Sequence, residues 1–308
     1  VTDPLPLVTI GDGSLRAVFA PTRGGRLLSL RVGDEELLWQ NPTLVDADLR
    51  PVVPVATWPR GDGGMSTWAN VGGSKTWPAP QGWSGPDEWA GPPDPVLDAG
   101  PWDVLGHTPT TVSLRSGSDV RTGLRIERAF ALVTGGLEER ITFTNEGDRT
   151  THWSPWEVCQ VRTEDGGTVV VDGAGPADEL DLGTWEGAVQ GRGGPDGVVL
   201  PVGTGVAKRG YRAGRSVGYR RTSGTVIALA AAEEPDDGAE HPDGAEYPDG
   251  GARFEVWLQR PVAAPIAALE DLQPDAHLAE LEVLGRRSPL APGTSRTTVI
   301  LWWIRPAT

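Results

Sequence analysis

The chain has 308 residues, 38% hydrophobic and 22% charged, which is an ordinary globular composition with enough apolar material for a large core. A formal net charge of −15 repels polyanions, so nucleic acids and anionic membrane surfaces are excluded as expected partners. No run approaches the roughly 18 consecutive apolar residues of a spanning helix, and a single cysteine, Cys159, excludes an internal disulfide and any multi-cysteine metal site.

Taken in chain order, short apolar runs broken by turn residues come first. LRAVFA (15–20), LLSLRVG (27–33) and EELLW (35–39) are separated by PTRGGR and by Gly33–Asp34, the signature of hairpins. Arg26 follows two glycines that let backbones approach closely. Its rigid fork could clamp a ligand's carboxylate or hydroxyls, or pair with Glu35 or Glu36 across the hairpin.

Residues 57–102 are dense in Gly and Pro, which argues against a helix or a long strand there. The part from Trp68 to Trp102 holds five of the thirteen tryptophans and Lys75, one of only two lysines. Amphipathic rings in such a stretch either cap a core or form a platform for a sugar face or small polar ligand. On the platform reading, Trp77 and Trp83 are stacking walls, Lys75 is a ligand cation, and truncating Trp77 is expected to cost binding rather than stability. Lys75 follows Gly72–Gly73–Ser74, but the spacing is not that of a phosphate loop and no helix follows.

Strand signals then dominate: TVSLRSG, RIERAFALV, EERITFTNEG, VVVDG, GTVIALAAA, ARFEVWLQR, HLAELEVLG and TTVILWWIR. The one helical candidate, Ala263 to Leu272, is interrupted by Pro265. Residues 233–252 form an acidic, proline-bearing stretch read as a surface loop whose spacing matches no calcium loop. The fold class expected is all-β, organised as one domain over 1–308. Cys159, in WEVCQV, reads as a packed strand thiol, and His107, His241 and His277 show no metal-ligand spacing. No metal or cofactor is expected, and the oligomeric state and the compartment, cytoplasmic or secreted, are left open.

Five blocks in order along nearly the whole chain resemble the aldose 1-epimerase (galactose mutarotase) superfamily. They are PTRGGRLLSLRVGDEELLWQNP (21–42), NVGGSKTWPAPQ (70–81), TFTNEGDRTTHWSPWEVCQV (142–161), YPDGGARFEVW (247–257) and LAELEVLGRRSPLAPGTS (278–295). The resemblance implies a large antiparallel β-supersandwich and a sugar ligand. It also implies a general base and a general acid at the anomeric centre, a late-strand Glu and a mid-chain His. Glu280 matches the late-strand Glu. Where the family's His would fall stands Glu157, and the nearest histidine, His152, arrives several residues early.

Period-2 alternation puts Leu278, Glu280 and Glu282 on one face of their strand, with the two carboxylates about 7 Å apart. It likewise groups Arg253, Glu255 and Trp257, so Glu255 and Trp257 join the candidate substrate-binding face. Pro155 leaves the facing of Glu157 and His152 open. A carboxylate among Trp153, Trp156 and Cys159 is either paired with an arginine or held neutral. The expectation is therefore a carbohydrate-active enzyme with catalytic Glu280, Glu282, Glu157 and His152. The alternatives are a non-catalytic sugar-binding protein, prompted by the missing His, and a lyase, isomerase or cyclase of another metabolite on the same scaffold.

Overall fold

A computed structural model describes residues 4–58, 65–82, 84–232 and 247–307. Trp83 and most of the acidic stretch, 233–246, lie outside the described residues, as does His241. The first strands are β1 (Val8–Gly11), β2 (Leu15–Ala20), β3 (Arg26–Val32), β4 (Glu35–Glu36), β5 (Ser74–Ala79), β6 (Asp103–His107) and β7 (Thr111–Arg115). Next come β8 (Leu124–Val133), β9 (Gly136–Asn145), β10 (Ser154–Arg162), β11 (Thr168–Asp172), β12 (Glu179–Gly187), β13 (Arg192–Gly193) and β14 (Gly197–Pro201). The last are β15 (Gly205–Tyr211), β16 (Ser216–Arg220), β17 (Val226–Ala231), β18 (Phe254–Gln259), β19 (Leu278–Leu284) and β20 (Ser295–Arg305).

Two large sheets result. One runs β1-β2-β3-β5-β10-β19-β18-β15-β12 with β4 on β3, the other β13-β14-β11-β16-β17-β20-β9-β8-β7-β6. Their facing sides interdigitate: Val161, Val256 and Leu281 of the first sheet share one apolar cluster with Ile126, Phe130, Ile141 and Trp302 of the second. Strand parity therefore decides everything about function. A residue of β10, β18 or β19 points either into this core or to the outer face of the first sheet.

On β10 the odd positions Glu157, Cys159 and Val161 turn inward, and Trp156 and Gln160 turn outward. Glu157 meets Arg128 of β8 at 3.0 Å, and Arg128 also holds Glu139 of β9 at 2.7 Å. All three side chains are fully buried. Thr76 Oγ1 donates to Glu157 at 2.6 Å and Ser74 Oγ donates to its other oxygen, while Trp302 Nε1 donates to Glu139 at 3.0 Å. Burial pushes Glu157 up to about 8, with the like charge of Glu139 adding to the shift and Arg128 opposing it. Glu139 is raised by burial too. Glu157 is thus a structural carboxylate of the inter-sheet core, not a group facing a ligand, and the catalytic expectation for it is corrected. Cys159 is a packed thiol raised by the same burial.

The Gly/Pro-rich stretch also differs from expectation. It contains β5, a wholly buried strand at the middle of the first sheet. Pro78 is tolerated because it stands opposite Pro155 of β10, and β5 pairs β3 only at Leu27–Ser74. The helical candidate reduces to one 3-10 turn, Ala267–Leu269, ended by left-handed Glu270 and Asp271. No helix among the described residues is long and apolar enough to cross a membrane.

Candidate functional site

The outer face of β5, β10, β19, β18 and β15 carries a cavity of about 650 Å3, roofed by the segment after β18 through Leu269, Leu272 and Pro274. Its walls are tryptophans: Trp39, Trp68, Trp77, Trp156, Trp185 and Trp257. Trp77 packs against Trp68, Trp89 and Trp156 at ring separations of 5.7, 5.1 and 5.4 Å, and Trp185 stacks on Trp257 at 5.3 Å. Asp98 ties this wall together. It accepts from Trp68 Nε1 at 2.8 Å and Trp77 Nε1 at 3.3 Å.

The partner of Arg26 is this same Asp98, through a short buried ion pair, and its Nη1 donates to the Gly72 carbonyl at 3.1 Å. The expected pairing with Glu35 or Glu36 does not occur. Glu35 takes Arg221 at 3.2 Å, and Glu36 takes Ser29 Oγ and two backbone N–H groups. Arg26 does not line the cavity; it supports the wall from behind, so its ligand-contact reading is corrected.

The floor is built from charges. Register places Gln160 opposite Glu280, Glu280 opposite Trp257, and Glu282 opposite Glu255. Lys75 Nζ donates to Glu280 Oε1 at 3.1 Å and Gln160 Nε2 donates to the same oxygen at 2.6 Å. Both bonds fall on Oε1, and among the described residues no side-chain donor is bonded to Oε2. Lys75 is 1% exposed and lies over Trp77 and Trp68 at 4.7 and 5.2 Å. Burial pulls its pKa below the ordinary lysine value, with Arg26 adding to the shift and Glu280 and Asp98 opposing it. Lys75 is accordingly a partner of Glu280 rather than a cation open to the ligand.

The second lysine, Lys208 of β15, bridges Glu255 at 2.6 Å and Glu282 at 3.3 Å, with Trp156 below it at 4.4 Å. Burial alone would depress Lys208, but the two carboxylates outweigh it and raise its pKa. Trp156 Nε1 donates to Glu282 Oε2 at 2.6 Å. Burial raises Glu282, with Glu280 adding to the shift and Lys208 opposing, and burial raises Glu255 well above the usual carboxylate range. Two buried acceptors on the cavity wall, Gln160 Oε1 and Asn70 Oδ1, have no hydrogen-bond partner among the described residues. A buried orphan acceptor costs roughly 1–3 kcal/mol, which a ligand O–H group would recover.

Of the residues expected from the sequence, the structure brings together Lys75, Trp77, Glu255, Trp257, Glu280 and Glu282. His152 is not among them: it is exposed, and its backbone oxygen accepts from Arg287. Glu157 and Arg26 sit behind the site. Sequence reasoning missed Lys208, Gln160, Asp98, Trp156, Trp185 and Trp39. The usable signal was composition, since both lysines of an arginine-rich chain lie at this one floor.

No protein-family model matches the chain, and no curated protein matches its sequence. Several solved structures match it over nearly the whole length of both chains. A Synechocystis protein is 13% identical, covering 100% of this chain and 98% of that one, with a TM-score of 0.56. A galactose mutarotase related enzyme from Lactobacillus acidophilus is 13% identical over 98% of both chains, with a TM-score of 0.53. A galactose mutarotase-like protein from Clostridium acetobutylicum is 9% identical over 98% of this chain and 99% of that one, with a TM-score of 0.50. The chain therefore has the galactose mutarotase-like sandwich fold.

Proposed function

We propose that this chain is a carbohydrate-active enzyme of the aldose 1-epimerase type, with Glu280 as general base and Glu282 as general acid. The observation that carries the reading is the convergence, in one tryptophan-walled cavity, of two carboxylates in unlike environments with two orphan acceptors. Glu280 lines the cavity with one oxygen held by an ammonium, while Glu282 is wholly buried and raised by that burial, the contrast of environments that acid/base work requires. Orphan acceptors call for a ligand rich in O–H donors, and indole faces suit the apolar face of a pyranose. The similarity to a galactose mutarotase related enzyme supports the same reading.

In this scheme Glu280 takes the proton of the anomeric hydroxyl, the bond from C1 to the ring oxygen breaks, and its electron pair leaves with the ring oxygen. Glu282 protonates that oxygen. Rotation about C1–C2 and reversal of both proton transfers closes the other anomer. The decisive measurement is NMR exchange between the α and β anomers of a panel of free aldoses with and without protein. Glu280→Gln should lower the rate by about 100-fold or more while leaving sugar binding by calorimetry in place. Absence of acceleration for every sugar, with binding intact, favours the second reading, a non-catalytic sugar-binding protein. That reading draws its support from Lys75, which neutralises Glu280, and from the lack of any histidine lining the cavity among the described residues.

A further inference from the structure

Glu255 is wholly buried behind the wall of the tryptophan cavity, yet it stands directly across the β18–β19 ladder from Glu282. In an antiparallel pair such residues have neighbouring Cβ atoms on one face, and like charges there repel. Among the described residues the groups around the pair are few: Lys208 from β15, Glu280 from the same strand as Glu282 with Lys75 beyond it, Asp249 near the end of the acidic stretch, and the Trp156 N–H from β10.

Counting charge, Lys208 offers one positive charge to two carboxylates, and Glu280 is already matched by Lys75. A fully ionised Glu255–Glu282–Lys208 triad would bury one uncompensated negative charge, which costs several kcal/mol in a low-dielectric site. The hydrogen bonds tell the same story. Among the described residues, Glu255 Oε1 and Glu282 Oε1 are buried acceptors that no donor reaches, and Glu255 Oε2 lies 2.6 Å from Lys208 Nζ. Two orphan acceptors side by side become a donor and an acceptor when one proton lies between them.

We propose that Glu255 and Glu282 share a single proton, and that Glu255 is the positioning residue that keeps Glu282 loaded as an acid. The inference rests on the epimerase reading for its catalytic consequence, but not for the proton itself. When Glu282 gives its proton to the ring oxygen, the pair is left as two carboxylates against the Lys208 ammonium, while Glu280 holds the proton from O1. Ring closure returns both protons, so no proton is gained or lost over a turnover. The raised affinities of both carboxylates for protons agree with this count.

The test is infrared spectroscopy at neutral pH on wild type, Glu255→Gln and Glu282→Gln. Glu255→Gln leaves Glu282 ionised against Lys208, so a protonated-carboxyl carbonyl band present in wild type should vanish, and Glu282→Gln should remove the same band. Epimerisation by Glu255→Gln should fall by about 100-fold, and the alkaline limb of its pH profile should move to lower pH. A difference spectrum showing only carboxylate loss in both variants overturns the proposal, whether or not the sugar turns over. A vanished band with no epimerase activity in wild type keeps the shared proton and removes the epimerase reading. If either variant fails to fold, an alkaline titration of Glu157→Gln decides, since there Glu139 alone faces Arg128. The shared proton predicts a protonated-carboxyl band that is present at neutral pH and lost as pH rises, and its absence overturns the proposal.

Discussion

Truncating Trp77 to alanine should destabilise the whole fold and not merely weaken a ligand contact. The ring is 3% exposed and belongs to the main buried apolar cluster as well as to the cavity wall. It packs on three other indoles, carries Lys75 on its face, and gives its N–H to Asp98. Removing a buried aromatic of this kind costs about 3–5 kcal/mol, a large share of the 5–15 kcal/mol that holds a typical domain together. Loss of the N–H also weakens the Asp98 node that fixes Trp68 and Arg26. Urea denaturation should show the midpoint falling with little change in slope, and calorimetry should show a melting temperature lower by on the order of 10 °C. A change below about 1 kcal/mol, with sugar binding abolished, would refute the reasoning: Trp77 would then be an exposed stacking wall and not part of the core.

Two other outcomes follow from the charges and the rings. Glu157 is pushed up to about 8 in the folded chain from an ordinary value of 4.5; the unfolded chain gives up that proton first. Its contribution to stability is therefore full below about 4.5 and lost as pH rises through 8, by a few kcal/mol at most. Urea midpoints should fall between pH 6 and pH 9, and Glu157→Gln should flatten that slope; an unchanged slope in the variant would remove Glu157 as its source. Trp185 is only half-buried and stacks on Trp257 at the cavity rim. Under the proposed function, Trp185→Ala should leave the urea midpoint nearly unchanged and weaken sugar binding by about 3- to 10-fold; equal affinity for both proteins would take Trp185 out of the site.

The sequence makes the site strand β19 readable because Ala279, Leu281 and Val283 alternate with Glu280 and Glu282 without interruption. The same rule gave the correct face for Glu255 and Trp257 on β18. It had nothing to work on between residues 179 and 221, where five strands were not foreseen. There glycines break the apolar alternation, and Gly205 and Gly210 bracket Lys208 on β15. Glu157 was misplaced for a related reason: Pro155 obscures the parity of β10, and the arginine that claims Glu157 lies on the other sheet. The Arg26–Asp98 pair, separated by 72 residues, is a product of sheet order that no local pattern announces.

The placement of the lysines has a practical corollary for chemical labelling. The chain has 27 Lys and Arg residues together, and only two of them are lysines, both at the cavity floor. Lys75 is sealed and Lys208 is 19% exposed. The outer surface of the protein thus offers an amine-selective acylating reagent no ε-amine at all. Modification of an ε-amine in the folded protein becomes a direct readout of access to the cavity, and protection by an added sugar reports occupancy without any assay of turnover.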